Sequence, residues 1–498
     1  MNKLHLSILI FLLSIEYSTC NAQDFQDLAL LFGQSYPNGS ARIQGIGGSQ
    51  ISLGGDISNA YGNPAGLGMF NRSVFSMSLG LDFLNSDANY LGTTTPDSKA
   101  NFNIPNIGAV IYQKGHADDQ IKSGALGITL NRTSSFNNRT SYSSRNNTSS
   151  ILDYFLDYAQ GIDADIFYDS YNYEYDYPEA LAVRTQLIFP SSDIDSVNGF
   201  DDEYITDIYG LPKQSQTIET SGSMNQLSIG YGANYDDVLF FGGNIGITSI
   251  NYQVESTFNE SSFIYGDTTY INPLNSLTYE ERLTIEGGGI NAILGVIYRP
   301  IDQIQIGGTF ATPTYYTIED KFDRSLFADY VVFDDQYAES NIILSNYNLT
   351  TPLKLSGGMT YFVGNSGFIS ADVEMINYGK SKLSSQDFST AEDNQLIRNK
   401  LSKSVNYRIG GEYRYDIFMI RAGYAHYDLG SNGIYKGSRN LISGGLGIRI
   451  NKYNFDLAII NSSTSSSYSP YQFYDGSGPV AEIKNNITSG VITFGVNF

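Results

Sequence analysis

The chain ends in the stretch GVITFGVNF (residues 490–498), which alternates between two kinds of side chain. Ile492, Phe494, Val496 and Phe498 are apolar, and the residues between them are mostly small or polar. Because successive side chains of a β-strand point to opposite faces, this strand has one apolar face and one face of small and polar residues. In a transmembrane barrel the apolar face meets lipid and the other face meets the lumen. The ending therefore predicts a strand of a membrane barrel.

The same alternation recurs along the chain and defines the other strands. The fourteen predicted strands are residues 73–83, 104–114, 121–133, 217–235, 238–256, 277–298, 303–318, 340–362, 367–377, 401–415, 417–428, 438–450, 453–463 and 486–498. Tight turns join them at one end and mostly loops of roughly twenty residues at the other, as in outer-membrane barrels. We predict an all-β fold, a 14-stranded antiparallel transmembrane β-barrel over residues 71–498, in the bacterial cell outer membrane. We expect a monomer surrounded by outer-membrane lipid.

The apolar ending also predicts a partner. The bacterial outer-membrane assembly machinery is known to read an alternating apolar pattern that ends on an aromatic residue. Phe494, Val496 and Phe498 form such a pattern. We therefore predict that these three side chains are the assembly signal.

Composition excludes one class of function and favours strands. The chain has 29 basic and 51 acidic residues, a formal net charge of −22. Nucleic acids are held by clustered Lys and Arg, so we predict no nucleic-acid partner. Glycine (50), tyrosine (39) and phenylalanine (28) are abundant, and charged residues make up only 16%. This mixture favours strands and turns over helices.

The N-terminus predicts export. Residues 1–22 combine a short positive start, an apolar run and small residues before Gln23, which is typical of a cleaved signal peptide. Cleavage after Ala22 removes Cys20, the one cysteine of the chain. The alternative, that Cys20 carries a lipid, lacks the usual aliphatic residue upstream. The mature chain is therefore expected to contain no thiol and no disulfide.

The connector 134–216 is longer than a plain loop and acidic. Residues 153–203 hold thirteen acidic side chains and one basic side chain. Ser150 predicts the start of one helix, and Pro178 predicts the start of a second. Such helices would offer apolar surface at the outer mouth of the barrel. The alternative is a solvated acidic loop in which the helices are incidental.

Acidic clusters in this connector raise the question of a metal. Calcium could be bound by Asp163, Asp165 and Asp169, or by Asp193 and Asp195. Neither set has the glycine and terminal glutamate of a hand-type calcium loop. We predict no metal site and no cofactor.

Residues 23–70 precede the first strand and are rich in glycine. They include the stretches SARIQGIGG (40–48) and LGGDISNAYGNPAGL (53–67). The glycine run, the following Asp and the motif Asn-Pro-Ala-Gly-Leu resemble the N-terminal hatch of the FadL/TodX family of outer-membrane transporters for hydrophobic compounds. The similarity extends to NIPNIG (103–108) and TPLKLSGG (351–358).

The resemblance implies a plugged, 14-stranded barrel that takes up a small hydrophobic ligand, such as a long-chain fatty acid or an aromatic hydrocarbon. It implies that residues 23–70 form the hatch and that the ligand leaves sideways into the membrane. The expected hatch and gating residues are Arg42, Gly45, Gly47, Gly48, Asp56, Asn63, Pro64 and Ala65. Glycines let a plug backbone approach the wall closely, and Asn63-Pro64 is expected to fix a non-helical turn.

Charged residues that share the parity of the lumen predict an interior network. They are Asp372, Glu374, Arg408, Glu412, Arg421, Arg449 and Asp456. Unpaired charge would be costly there, so we expect these groups to pair with one another and with hatch residues such as Arg42 or Asp56. Such a network either holds the hatch in place or breaks when ligand arrives.

The sequence leaves three alternatives to transport. The glycine run lacks the residues of a phosphate loop or a dinucleotide fingerprint, so we predict no enzyme. A second alternative is a shuttle component of type IX protein secretion, similar to PorV, which belongs to the same kind of barrel. The third is a structural or adhesive surface barrel with Tyr-rich acidic loops.

Overall fold

The computed structural model describes residues 25–116, 120–163, 166–167, 177–191, 203–208, 210–265, 273–431 and 437–498. In these residues the dominant element is one closed antiparallel sheet. None of the helices that it describes has the length and apolarity needed to span a membrane.

The sheet is a barrel of fourteen strands, which confirms the predicted fold class. The strands are β1 Val74–Tyr90, β2 Thr93–Lys114, β3 Ile121–Ser135 with Asn138–Arg145, β4 Leu211–Tyr235, β5 Leu239–Ile264, β6 Leu274–Ile301, β7 Ile304–Ala311 with Tyr315–Tyr330, β8 Ile343–Thr350 with Lys354–Phe362, β9 Gly367–Asn377, β10 Lys403–Tyr415, β11 Phe418–Asp428, β12 Ser438–Ile450, β13 Tyr453–Tyr468 and β14 Ala481–Asn497. The barrel closes where β1 pairs with β14, from Val74 and Asn497 to Tyr90 and Ala481.

A belt of exposed apolar side chains surrounds the barrel. On β5 and β6 it includes Phe241, Ile245, Ile290 and Leu294, which are 42–62% exposed. The alternate positions point into the lumen. This outward apolar face is the surface that a barrel presents to lipid.

Short turns join the strands at one end. Asp236 and Asp237, between β4 and β5, both have positive φ, 53° and 58°. Two consecutive left-handed residues form the mirror-image turn whose twist matches that of two-residue hairpins. The turn at this predicted position is therefore of the kind that connects adjacent antiparallel strands.

Several strands extend further towards the long-loop end than the alternation predicts. β2 begins at Thr93 and not at residue 104, and β13 continues to Tyr468. These extensions are rich in Ser, Thr, Asn and Asp, so they lack the apolar face on which the prediction depended. They pair with their neighbours as a polar wall beyond the apolar belt.

Residues 25–70 lie inside the barrel as four short helices joined by turns. They are α1 Phe25–Gly33, α2 Ala41–Gln44 and two 3-10 helices, Ile57–Ala60 and Pro64–Met69. We call residues 34–70 the hatch and treat α1 separately. The hatch packs against the inner wall, with Leu67 fully buried against β3 side chains such as Ala125.

The connector between β3 and β4 contains two helices, α3 Ile151–Ala159 and α4 Pro178–Arg184. Ser150 caps α3 as predicted, with Asp153 completing a capping box. The sequence suggested that both helices would offer apolar surface at the outer mouth of the barrel. In the structure their apolar sides do not face solvent. They pack against wall residues such as Phe258 and Leu326, because burial in a shared core removes their apolar surface from water. We call α3, α4 and the wall residues around them the lid.

Candidate functional site: the lumen and an opening in its wall

The hatch is fixed to the wall by hydrogen bonds from its backbone and its side chains. The amide of Ala41 donates to Thr493 Oγ1 (2.7 Å), and the amide of Gly47 donates to Ser443 Oγ (3.0 Å). Further along, Ser52 Oγ and Thr360 Oγ1 lie 2.7 Å apart. Because these wall residues belong to β14, β12 and β8, the hatch is held from several sides of the lumen.

Gly47 shows why the hatch needs glycine. Its φ is +69°, and a Cβ built on it would lie 2.9 Å from the carbonyl oxygen of Tyr424. A side chain here would meet both an unfavourable backbone conformation and the wall of β11. The backbone of the hatch can therefore approach the wall closely only with glycine at this position.

Asn63 and Pro64 form a different local structure from the one expected. They do not fix a non-helical turn: Asn63 caps the 3-10 helix Pro64–Met69, with its Oδ1 accepting from the amide of Ala65 (3.1 Å). Proline is favoured at the first position of a helix, where its missing N–H is not needed. The Asn63 amide group also donates to the carbonyl of Ile51 (2.6 Å), so this residue links two parts of the hatch.

One cluster of the lumen charges links the hatch to the wall. Arg421 donates to Glu412 (2.8 Å) and to Asp456 (2.7 Å), and the side chains of Arg421 and Glu412 are each only 1% exposed. Arg42 of the hatch lies 3.7 Å from Glu412 and 3.9 Å from Asp56. The wall cluster thus extends into the hatch through one arginine.

A second cluster contains Asp372, Glu374 and Arg408. One Asp372 oxygen accepts from the hatch amides of Gln50 (2.7 Å) and Ile51 (3.0 Å). Arg408 lies 3.9 Å from Glu374. The remaining predicted member, Arg449, is exposed and donates to Asn454 (2.9 Å). It is close enough to Glu412 and Asp456 to interact with their charges, so it lies at the edge of the first cluster.

The other expected hatch residues occupy distinct positions. Asp56 caps the 3-10 helix Ile57–Ala60 through the amide of Ser58 (2.9 Å). Gly45 ends α2, Gly48 has φ +77°, and Ala65 is fully buried. Their common feature is tight packing of the hatch.

An apolar chamber lies on the long-loop side of the hatch, and α1 occupies it. Leu28 and Phe32 of α1 are 2% and 3% exposed. The chamber wall is formed by apolar residues of several strands and by Tyr378 of the 3-10 helix Tyr378–Lys380. The strand residues are Met224, Ile250, Tyr252, Leu283, Ile285, Tyr316, Ile318, Tyr347, Leu349 and Ile376. Barrel interiors are ordinarily polar. This chamber can therefore accommodate an apolar occupant, which in this structure is a helix of the same chain.

Sequence reasoning missed α1, although a signal was present. Phe25, Leu28, Ala29 and Phe32 have the spacing of one face of a helix. The glycine-rich motif that follows led to residues 23–70 being predicted as one hatch.

The wall has an opening between β2 and β3. These strands pair only from Asn106 and Asn131 to Lys114 and Ser123. The rest of β2, Thr93–Pro105, pairs with β1 but not with β3. We call the part of this stretch between Lys99 and Pro105, with the facing end of β3, the wall gap.

Local sequence explains where the gap begins. Pro105, the first residue beyond the last pair, has no N–H to donate to β3. On the other side of β3, the register with β4 shifts between Arg132 and Ser134, which marks an irregularity. At the same level of the barrel, β3 thus loses its pairing with β2 and pairs irregularly with β4.

Beyond the gap the wall is closed again by side chains. The second segment of β3, Asn138–Arg145, lies against β1, where Tyr142 packs on Tyr90 at 4.7 Å. Lys99 of β2 forms an ion pair with Glu219 of β4 (2.8 Å). The gap is therefore a window with paired strands on one side and an ion pair on the other.

Behind the gap lies a cavity of about 160 Å³. Hatch, gap and wall residues line it together, including Asn38, Pro105 and Ile460. The cavity therefore connects the hatch with the wall gap.

The lid is anchored by a buried carboxylate. Glu260, on β5, is fully buried. It lies 13 residues beyond Ile247, which is the last strongly exposed apolar residue of the belt on this strand. It accepts from Ser150 Oγ (2.5 Å), the amide of Ile151 (2.8 Å) and Gln214 (2.7 Å). The start of α3 thus sits directly on a carboxylate of the wall.

Two lid carboxyls have raised pKa values. Burial raises the pKa of Glu179 to about 7, against the opposing effect of Arg324. Burial also raises the pKa of Glu260 to about 7, although its hydrogen bonds favour the charged form. Both groups therefore titrate near neutral pH.

Of the possible calcium ligands, the structure describes only Asp163. Asp165, Asp169, Asp193 and Asp195 lie outside the described residues. Within the described ranges there is no group of three or more His, Cys, Asp or Glu side chains that could hold a metal ion.

Comparison with known proteins supports the fold. The sequence matches no protein-family model and no curated protein sequence. By structure, the chain is similar to a FadL homologue of Pseudomonas aeruginosa (TM-score 0.56, 11% identity, covering 94% of this chain and 100% of the homologue). It is also similar to the toluene transporter TodX of P. putida (0.53, 12%, 93% and 99%) and TbuX of Ralstonia pickettii (0.50, 13%, 93% and 99%). At these identities the similarity shows the fold alone.

Proposed function

We propose that the protein is a bacterial outer-membrane channel for small hydrophobic molecules, with lateral release through the wall gap. The observation that carries this proposal is the apolar chamber inside a barrel whose wall opens between β2 and β3. An apolar molecule loses favourable contacts if it enters periplasmic water, whereas a sideways path keeps it in apolar surroundings. The similar solved structures, which are described as transporters of toluene or as a FadL homologue, have the same fold.

In this proposal α1 and the ligand compete for the chamber. Leu28, Leu30 and Phe32 of α1 fill the space that an apolar ligand needs. When ligand arrives, α1 leaves the chamber, and the cavity behind the wall gap becomes accessible from it. The hatch stays in place, because its hydrogen bonds with the wall do not involve α1.

The proposal extends to assembly and partners. The protein acts as a monomer in outer-membrane lipid and is inserted by the outer-membrane assembly machinery. Phe498 supports this: it is 72% exposed next to the closing seam, where its amide donates to Ser73. We propose no catalytic activity.

The test uses the mature protein in lipid vesicles with a labelled long-chain fatty acid and labelled toluene. Wild-type vesicles should take up at least one of them saturably. Leu28→Asp with Leu30→Asp places charge in the chamber, so α1 should leave it and ligand binding should become tighter. The matched control, Leu28→Met with Leu30→Met, conserves volume and should bind like wild type.

Two results would count against the proposal. One is the absence of saturable uptake of either compound by correctly folded protein. The other is co-purification of secreted proteins together with an absence of any bound hydrophobic molecule, which would favour the secretion-shuttle alternative.

A further inference from the structure

Five apolar side chains are strongly exposed at the long-loop end of the hairpin that β7 and β8 form. Each is 60–64% exposed: Val331, Val332, Tyr337, Ile342 and Leu344. We call these five residues the hairpin patch. Proteins seldom expose large apolar side chains in groups, and such groups commonly mark a surface that another molecule covers.

A polar band separates the hairpin patch from the apolar belt. On β7 the belt ends at Tyr315, and the outward positions that follow are Thr317, Glu319, Lys321, Asp323 and Ser325. On β8, Asn346 and Asn348 lie between Leu344 and the belt. The patch is therefore not part of the surface that meets lipid.

The height of the patch leads to the same conclusion. Val331 lies 16 residues beyond Tyr315 along the chain. With a rise of about 3.3 Å per residue and a strand tilt of roughly 40°, it stands ~40 Å above the end of the belt. Leu344 is paired with Lys321, which places it ~15 Å above the belt by the same measure. The hydrocarbon of the membrane cannot cover either end of the patch.

The short strand that carries Tyr337 also has an open edge. Gln336–Glu339 pairs with Ser325–Ala328 of β7 on one side. Among the described residues, no strand pairs with its other side. An edge strand offers N–H and C=O groups that another protein chain can bind.

Exposed carboxylates surround the patch. They are Asp334 and Asp335 at the turn and Glu339 on the short strand. The outward-facing basic residues of β6 and β7, Arg282 and Lys321, are already in ion pairs at 3.4 and 3.2 Å. In the described part of the chain, the three carboxylates therefore have no ion-pair partner.

Charge indicates which molecule fits this surface. A second copy of the same acidic hairpin would be repelled, and so would lipid phosphate. A protein segment with Lys or Arg around an apolar centre would gain both ion pairs and burial of the patch.

We propose that the hairpin patch is a docking site for another protein outside the cell, which binds through a segment that combines apolar and basic side chains. The apolar side chains of that segment cover the patch, and its basic side chains pair with the carboxylates around it. The proposal goes beyond the hydrophobic channel and does not depend on it, because the patch faces away from the lumen.

Site-specific photo-crosslinking in cells of the source bacterium tests the proposal. The photoreactive residue p-benzoylphenylalanine, in place of Tyr337, reacts only with groups in contact with it, so one discrete adduct with another protein is expected. The same residue in place of Tyr474, a similarly exposed aromatic of the β13–β14 loop, is the control and should give no adduct.

The crosslinked protein is then identified, purified and titrated against the mature, full-length protein in lipid nanodiscs. Binding should weaken roughly tenfold when salt rises from about 0.05 M to about 0.5 M, because salt screens exposed charges. Asp334→Lys with Asp335→Lys should weaken binding at least about tenfold, and so should Val332→Ser with Ile342→Ser.

A matched control reverses two charges elsewhere on the outer surface. Asp475→Lys with Glu482→Lys should bind the partner like wild type, since both residues are exposed and lie outside the hairpin. All variants change exposed side chains, so heat-modifiable folding and hydrophobic uptake should be unchanged in each.

Four results would overturn the docking site. They are no adduct from position 337, an adduct with a second copy of this chain, an adduct with lipid alone, and binding that responds neither to salt nor to the charge reversal. None of them affects the proposed channel. Loss of hydrophobic uptake by wild type, with docking intact, would instead count against the channel and leave the docking site supported.

Discussion

Two seams of the same wall differ in how completely they are paired. The closing seam between β1 and β14 pairs without a break from Val74 to Tyr90. The pairing of β2 with β3 stops at Asn106, and the wall is open between Pro105 and the Lys99 ion pair. Both seams lie in the same apolar belt, so lipid exposure does not explain the difference. Pro105 and the register shift between Arg132 and Ser134 explain it. A few residues can therefore open a barrel locally.

The largest effect is expected from disrupting the closed seam. Phe498→Asp places a charge at the end of the predicted assembly signal, so little folded barrel should reach the outer membrane. Heat-modifiable mobility of outer-membrane fractions measures this. Tyr474→Asp, a similarly exposed aromatic of an outer loop, is the control and should assemble normally. Normal amounts of folded Phe498→Asp protein would contradict the assigned signal.

The second effect concerns the charges that hold the hatch against the wall. Arg421→Met leaves Glu412 and Asp456 without their shared partner, and loss of one member of a buried pair costs about 3 kcal/mol or more. Denaturant unfolding in detergent should show this loss. Arg282→Met breaks a half-exposed pair with Glu255 and should change stability by about 1 kcal/mol or less. Equal effects would mean that the lumen pair is not buried in solution.

A smaller effect is expected from repairing the open seam. Pro105→Val restores an N–H next to the last pair of β2 and β3, so pairing should extend and the gap should narrow. Uptake should slow several-fold while ligand binding stays the same. Pro96→Val, in the same strand but beyond the Lys99 ion pair, is the control. Unchanged uptake, with added pairing visible by hydrogen exchange, would show that the gap does not limit release.

The smallest effect concerns the lid. The pKa values of Glu179 and Glu260, about 7, lie above the ordinary value of 4.5. A raised carboxyl pKa means that the docked lid favours the neutral form, so this stabilisation is complete below about pH 4.5 and is lost as the pH rises through about 7. Hydrogen exchange of residues 150–159, corrected for intrinsic rates, should show weaker protection at about pH 8 than at about pH 5.

Variants check this dependence on pH. Glu179→Gln with Glu260→Gln removes both titrating groups and should flatten it. Asp157→Asn removes an exposed acidic group of the same helix and should leave the dependence on pH unchanged. A double Gln variant with the full dependence would assign the titration to other groups.

The strands could be predicted from the sequence because lipid enforces a period of two. The polar extensions, such as Thr93 to residue 103 of β2, could not, since they meet water and follow no apolar pattern. α3 was predictable from Ser150, because a capping box is a local signal. Its burial was not, because the wall residues that cover it are distant in sequence.

The site was less accessible to sequence reasoning than the fold. The parity of β10 to β13 places Arg408, Glu412, Arg421 and Asp456 inside, but the sequence does not show that Arg449 bonds to Asn454 instead of forming an ion pair. The wall gap could not be predicted, because Pro105 shows only that one N–H is missing, while the gap also requires the bend of β3.

Lateral release is the central claim, and a cleavable link across the gap tests it most directly. Ile104→Cys with Thr133→Cys places two thiols on opposite sides of the gap, in a mature chain predicted to contain no other cysteine. Phe83→Cys with Thr488→Cys, a pair within the closed seam, is the control. Linking the gap with a disulfide-containing bis-maleimide should abolish uptake but not ligand binding, and reduction should restore uptake, while the control stays active throughout. Full uptake with the gap completely linked would contradict lateral release.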